Sequence, residues 1–146
     1  MKRKQFLHQC GAACTGGILL AAWVQSCSTQ KSLPVLYKNS QLIVPIASFY
    51  TEHNGAKKWK RSVIIRHEKT AFPIVVFRHK ETDYKAILLR CTHQGNELNV
   101  YGDIITCSAH GSEFGLSGEV LQGPAESKLQ AFKVTADDLN IYIHIS

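Results

Sequence analysis

The chain has 146 residues, 45% of them apolar, with seventeen Lys and Arg against eleven Asp and Glu. That length and apolar content support one hydrophobic core and one domain. The first 26 residues hold three of the basic side chains and no acidic ones, so the rest carries fourteen against eleven, too mild a surplus to attract nucleic acid.

Residues 1–26 read as an export leader rather than folded structure. Lys2, Arg3 and Lys4 form a positive start, and residues 11–24 are mostly small and apolar. Fourteen residues suit a signal-peptide core and fall short of the about 20 needed to span a bilayer. Residues 19–27 end in Gln25-Ser26-Cys27, similar to a relaxed bacterial lipobox, so cleavage before Cys27 would leave it as a lipidated N-terminus. Arg3-Lys4-Gln5-Phe6-Leu7 is similar to a twin-arginine signal with one Arg replaced by Lys. An uncleaved membrane anchor is the alternative reading. Residues 27–34 are then a short tether, and residues 35–146 the folded domain, placed on the periplasmic side of a bacterial membrane.

The domain reads as a series of short strands. Residues 42–50 are apolar and β-rich, with Pro45 marking an edge or bulge. Asn54-Gly55 is a tight-turn signal inside a loop that looks longer than two residues. Lys57-Lys58-Trp59-Lys60-Arg61 reads as a solvated basic loop, with an acidic redox partner or an anionic lipid surface as its possible use. Residues 62–66, 74–78, 84–89, 103–106, 119–121, 128–134 and 140–145 are the further strand candidates, separated by polar turns such as Asp137-Asp138. No helical period intervenes, so the expected fold is all-β, a small antiparallel sandwich or barrel. His144 alternates with Ile143 and Ile145 and is expected to face away from the core, while His53, His67 and His79 sit among polar residues and are expected at the surface.

Two short segments carry chemistry. Cys91-Thr92-His93-Gln94-Gly95 and Cys107-Ser108-Ala109-His110-Gly111-Ser112 each offer one thiol and one imidazole, followed by a glycine that lets the backbone fold tightly. Two Cys and two His can hold a [2Fe–2S] cluster in which histidines replace cysteines on one iron. They can also hold a tetrahedral zinc, although zinc motifs usually separate a Cys pair from a His pair. Four unrelated residues are the third reading, since Cys is often buried as a small hydrophobe. The other cysteines leave no pair for a disulfide: Cys10 and Cys14 lie in the leader and Cys27 is the lipidation candidate.

The two segments resemble the boxes of the Rieske protein family, and Gly123-Pro124-Ala125 resembles that family's proline loop. The resemblance covers residues 73–145 and implies a Rieske-type β domain with a two-loop subdomain holding one [2Fe–2S] cluster. It implies that Cys91 and Cys107 ligate one iron, His93 and His110 the other, and that the Ser112 hydroxyl donates to cluster sulfur. Neutral imidazoles leave their iron more positive, which raises the potential to about −150 to +300 mV against about −400 mV for all-Cys plant-type centres. The chain also departs from the respiratory pattern. Asn96 and Ala109 stand where those members carry a disulfide, Phe114 replaces a tyrosine donor, and Gln94 replaces a leucine near the quinol site.

The resulting expectation is a one-electron carrier with no substrate chemistry of its own. It would serve as a subunit of a quinol–cytochrome c oxidoreductase-type complex, with a cytochrome b/quinol site as donor and a c-type cytochrome as acceptor. The alternative is a ferredoxin-like or small electron-transfer subunit of another oxidoreductase, such as an oxygenase or arsenite oxidase. A zinc-binding structural lipoprotein is the third possibility.

Overall fold

The computed structural model describes Leu33 and residues 35–145. The expected leader, the twin-arginine-like motif, Cys27 and nearly all of the tether lie outside the described residues.

Among the described residues, thirteen strands are paired only in antiparallel fashion. They are β1 Leu36–Lys38, β2 Gln41–Pro45, β3 Tyr50–His53, β4 Ala56–Trp59, β5 Ser62–Ile65, β6 Ile74–Arg78, β7 Tyr84–Leu88, β8 Asn99–Tyr101, β9 Ile104–Thr106, β10 Glu113–Phe114, β11 Val120–Gln122, β12 Ala131–Ala136 and β13 Asn140–His144. A seven-stranded sheet has the order β1-β2-β13-β12-β7-β6-β5. It curls until the Tyr37 ring on one edge lies 5.8 Å from the His67 ring just past the other. A four-stranded sheet has the order β11-β10-β9-β8, with the second Cys/His motif between β9 and β10 and the first on the passage from β7 to β8, and β3-β4 stands as a separate hairpin.

Two cores share one wall. Ile74 and Val76 of β6 face a base core with Leu42, Val44, Phe49, Ile141 and Ile143. Val75 and Phe77 of the same strand face a second core with Ile87, Leu98, Ile105 and Phe114. Burial on both faces is why β6 reads as an unbroken apolar run rather than an alternation. Strand β13 shows the opposite case. Ile141 and Ile143 are buried while His144 turns outward to Gln41 and Thr135, as its alternation implied. His53 and His79 are exposed, and His67 is half-buried beside Tyr37.

Several boundaries differ from the sequence reading. Residues 42–50 are not one strand: Pro45 ends β2, and a 3-10 turn over Ile46–Phe49 follows. Proline donates no N–H to continue the ladder, and the next amide, Ile46 N–H, is taken instead by the Leu139 carbonyl at 2.8 Å. Asn54-Gly55 is a two-residue turn, not a longer loop, because both residues adopt positive φ and His53 pairs directly with Ala56. The basic run is partly strand, with Lys57, Lys58 and Trp59 in β4. Strand β12 begins at Ala131 rather than residue 128, since the Leu129 N–H goes to the Gly118 carbonyl outside the ladder. The short β1, β8 and β10 carried too few residues to show a period.

Candidate metal centre

Each motif is the tip of a hairpin. Arg90 pairs with Glu97 around residues 91–96, and Thr106 pairs with Glu113 around residues 107–112. Both tips use the same turn. The Gly95 N–H donates to the Cys91 carbonyl at 2.8 Å, and the Cys91 N–H to the Asn96 carbonyl at 2.8 Å. In the second tip, Gly111 N–H donates to Cys107 O at 2.9 Å and Cys107 N–H to Ser112 O at 2.8 Å. The turn needs a left-handed residue in its fifth place, and Gly95 and Gly111 both have φ +75°. The histidines sit at different places, third in one tip and fourth in the other, so the spacings differ while the backbone does not.

Depth separates the two kinds of donor. Cys91 and Cys107 are each 2% exposed and belong to the second core, and neither forms a disulfide. His93 and His110 are exposed, with ring centroids 5.0 Å apart and planes at 83°. Among the described residues, no three or more His, Cys, Asp or Glu converge on one ion. Two buried thiols beneath two adjacent surface imidazoles suit a two-iron centre, in which each iron needs only two protein ligands. A single four-coordinate ion needs all four to converge.

A third loop closes over the tips. It holds the cis Gly123-Pro124 bond and the buried Ala125. The Ala125 N–H donates to Ser112 Oγ at 3.0 Å. Ser112 is fully buried, and with its oxygen accepting that bond the hydroxyl proton is free to be donated elsewhere. Thr92 Oγ1 donates to the Ser127 carbonyl at 2.6 Å, and Gln122 Nε2 to the Gly111 carbonyl at 3.1 Å. These three bonds link both tips to the loop, in a chain whose Asn96 and Ala109 provide no covalent link. Thr92, Gln122 and Ser127 escaped the sequence reading. Thr92 lies between two candidate ligands, which was a usable signal, whereas nothing local marks Gln122 or Ser127.

Phe114 is fully buried in β10 and offers no hydroxyl. Gln94 is exposed at the first tip, where a cleft of about 380 Å³ runs along Arg90, Thr92, His93, Ser127 and Gln130. Its polar lining differs from the apolar shield that a leucine at position 94 would give.

Comparison with known proteins agrees with this geometry. The family model described as Rieske [2Fe-2S] domain matches residues 54–133, a span that starts earlier than residue 73 and ends before residue 145. The cyanobacterial plasma membrane Rieske protein PetC3 from Synechocystis PCC 6803 is 27% identical, with a TM-score of 0.50 over 57% of this chain and 85% of that one. The quaternary ammonium Rieske monooxygenase CntA shares the fold at 21% identity and a TM-score of 0.54, over 73% of this chain and 32% of that one. No curated protein matches the chain by sequence. Both motifs, the third loop and the larger part of the chain fall within the matched span, so the chain belongs to the Rieske [2Fe-2S] domain family, and its cofactor is a [2Fe–2S] cluster.

Proposed function

We propose that Cys91 and Cys107 would hold one iron and His93 and His110 the other, in a membrane-tethered, exported electron carrier. The observation that carries the ligand assignment is the depth of the donors: thiols at 2% exposure beneath exposed imidazoles 5.0 Å apart. The bound cluster supplies a one-electron couple, placed above the all-Cys range by its neutral ligands. The chain's own residues do the rest. His93 and His110 form the surface through which an electron enters and leaves. The second core keeps water from the thiolate side, and Ser112 offers its proton toward the site while the Ala125 amide fixes its oxygen.

The partner that best fits an exported Rieske carrier is a quinol–cytochrome c oxidoreductase-type complex, with a c-type cytochrome as acceptor. The similar Synechocystis protein is described as a plasma membrane Rieske protein, which supports a membrane location; the tether through Cys27 rests on the lipobox-like sequence alone. A second reading has a specific observation in its favour. Gln94 and the polar cleft beside His93 suit docking to another oxidoreductase, such as an oxygenase or arsenite oxidase, better than to an apolar quinol pocket. Reduced-minus-oxidised EPR of membranes given quinol separates the two. Reduction of the centre by quinol is expected for the first reading. Reduction only by a reductase partner overturns it in favour of the second.

A further inference from the structure

The β3-β4 hairpin is not explained by the electron-transfer site. It hydrogen-bonds into neither larger sheet, and every residue from Thr51 to Trp59 is exposed. A lone two-stranded hairpin is marginal in water and adds little to a core. Its second strand and exit carry Lys57, Lys58, Lys60 and Arg61, opposed on β3 only by Glu52. Aromatic rings are interleaved with these cations. Tyr50 and Trp59 pair edge to face at 4.9 Å, Lys57 Nζ lies 4.5 Å over Tyr50, and the Arg78 guanidinium lies 3.9 Å over Trp59. Arg61 bonds Asp103 at 3.0 Å, which brings in the β8-β9 turn with Tyr101 68% and Ile104 39% exposed. By strand alternation Lys57 shares the Trp59 face of the hairpin and Lys58 lies on the opposite face, so cations flank Trp59 on both sides of the ribbon, and the Arg61–Asp103 pair joins them to the turn that carries Tyr101 and Ile104.

The hairpin side of this surface lies away from the two Cys/His tips: Arg78 pairs with Tyr84 at the start of β7, and that strand carries the chain about 13 Å further to Leu88 before it turns toward Cys91. Its occupant does not need to exchange an electron. Cations mixed with exposed aromatic and aliphatic side chains match the headgroup region of an anionic bilayer, which takes aromatic rings at the interface and basic groups at the phosphates. An acidic protein face would complement the cations but leave Trp59, Tyr101 and Ile104 unexplained. We propose that the β3-β4 hairpin and the adjoining β8-β9 turn dock this domain onto an anionic phospholipid surface. The proposal complements the lipid-anchor reading, since Cys27 to Val35 spans at most about 28 Å and would hold the hairpin within reach of the membrane. A single acyl signal binds weakly and gains from a basic patch.

The chain has two tryptophans, and Trp23 lies in the expected leader, so the processed holoprotein, or Trp23→Phe where the leader is retained, leaves Trp59 as the sole reporter. Its emission would be followed in vesicles whose acyl chains carry bromine, made of phosphatidylcholine alone or with phosphatidylglycerol. Quenching is expected only with phosphatidylglycerol. It should fade in high salt and weaken about fivefold for each of Lys57→Gln and Lys58→Gln, with the visible spectrum of the cluster unchanged. Absence of quenching, or equal quenching in both lipids, overturns the proposal. So does a double variant that leaves vesicle binding intact but slows reduction by a protein partner. Sedimentation with phosphatidylcholine vesicles in high salt reports the anchor alone. Its loss, with phosphatidylglycerol-dependent quenching retained in low salt, refutes the anchor and supports the hairpin.

Discussion

On the proposed ligand assignment Ser112 would have two duties that a single substitution can separate. Its oxygen accepts the buried Ala125 amide, and its proton is left for donation, by the proposal to cluster sulfur. Ser112→Ala leaves that amide unpaired, at a cost of about 1–3 kcal/mol. It also removes a donor that favours the more negative, reduced state, so the midpoint should fall. Denaturant unfolding and protein-film voltammetry read the two effects, and an unchanged midpoint would remove the redox role. Phe114 is the converse case. Phe114→Tyr adds a hydroxyl at a fully buried position and should raise the midpoint; a lowered value counts against the donor argument. Thr92→Val keeps the shape of the side chain but loses its bond to the Ser127 carbonyl. The visible absorbance should then bleach faster under a chelator, and Thr92→Ser should restore the lifetime. Equal lifetimes for Val and Thr would show that this bond does not hold the tip.

At the scale of the element, the β12-β13 turn is organised by one carboxylate. Asp137 accepts the Tyr142 hydroxyl at 2.6 Å and the Leu139 and Asn140 amides at 2.8 and 2.7 Å. The Tyr142 hydroxyl first, then those amides, hold the Asp137 carboxyl below the usual carboxylate range, and the same bond raises Tyr142. A depressed carboxyl stabilises the fold above its unfolded value of about 3.9 and loses that contribution as pH falls through the lower folded value. Asp137→Ala should therefore lower Tm near neutral pH, and the gap from the parent should narrow in acid. Thermal melts at several pH values check this, and a pH-independent gap would exclude the charge as its source.

The described domain divides along β6 and β7, which wall off a base core from the core that contains both cysteines. Ligand loss should be felt on one side of that wall. Cys91→Ser is expected to abolish the EPR signal and to lower amide protection in residues 91–98 and 107–116, while β2, β12 and β13 keep theirs. Uniform loss of protection would mean that the cluster supports the entire fold. The hairpin lies outside both cores, so its substitutions should leave this pattern untouched.

The chain alone singled out the candidate donors, because residue identity and the glycine that permits each turn are local properties. Cys91, His93, Cys107, His110, Gly95 and Gly111 needed no tertiary information to be singled out, nor did the antiparallel strand-rich class, since alternation is written residue by residue. Other features depend on partners distant in sequence. Pro45 could have been an edge or a bulge until Leu139 took the next amide and a 3-10 turn replaced the rest of the strand. That the thiols are buried and the imidazoles exposed follows from where β7, β9 and β10 lie over the second core. The bonds from Thr92 and Ser112 to the third loop span 35 and 13 residues. No local pattern encodes a contact of that range; only the packed fold brings those groups together.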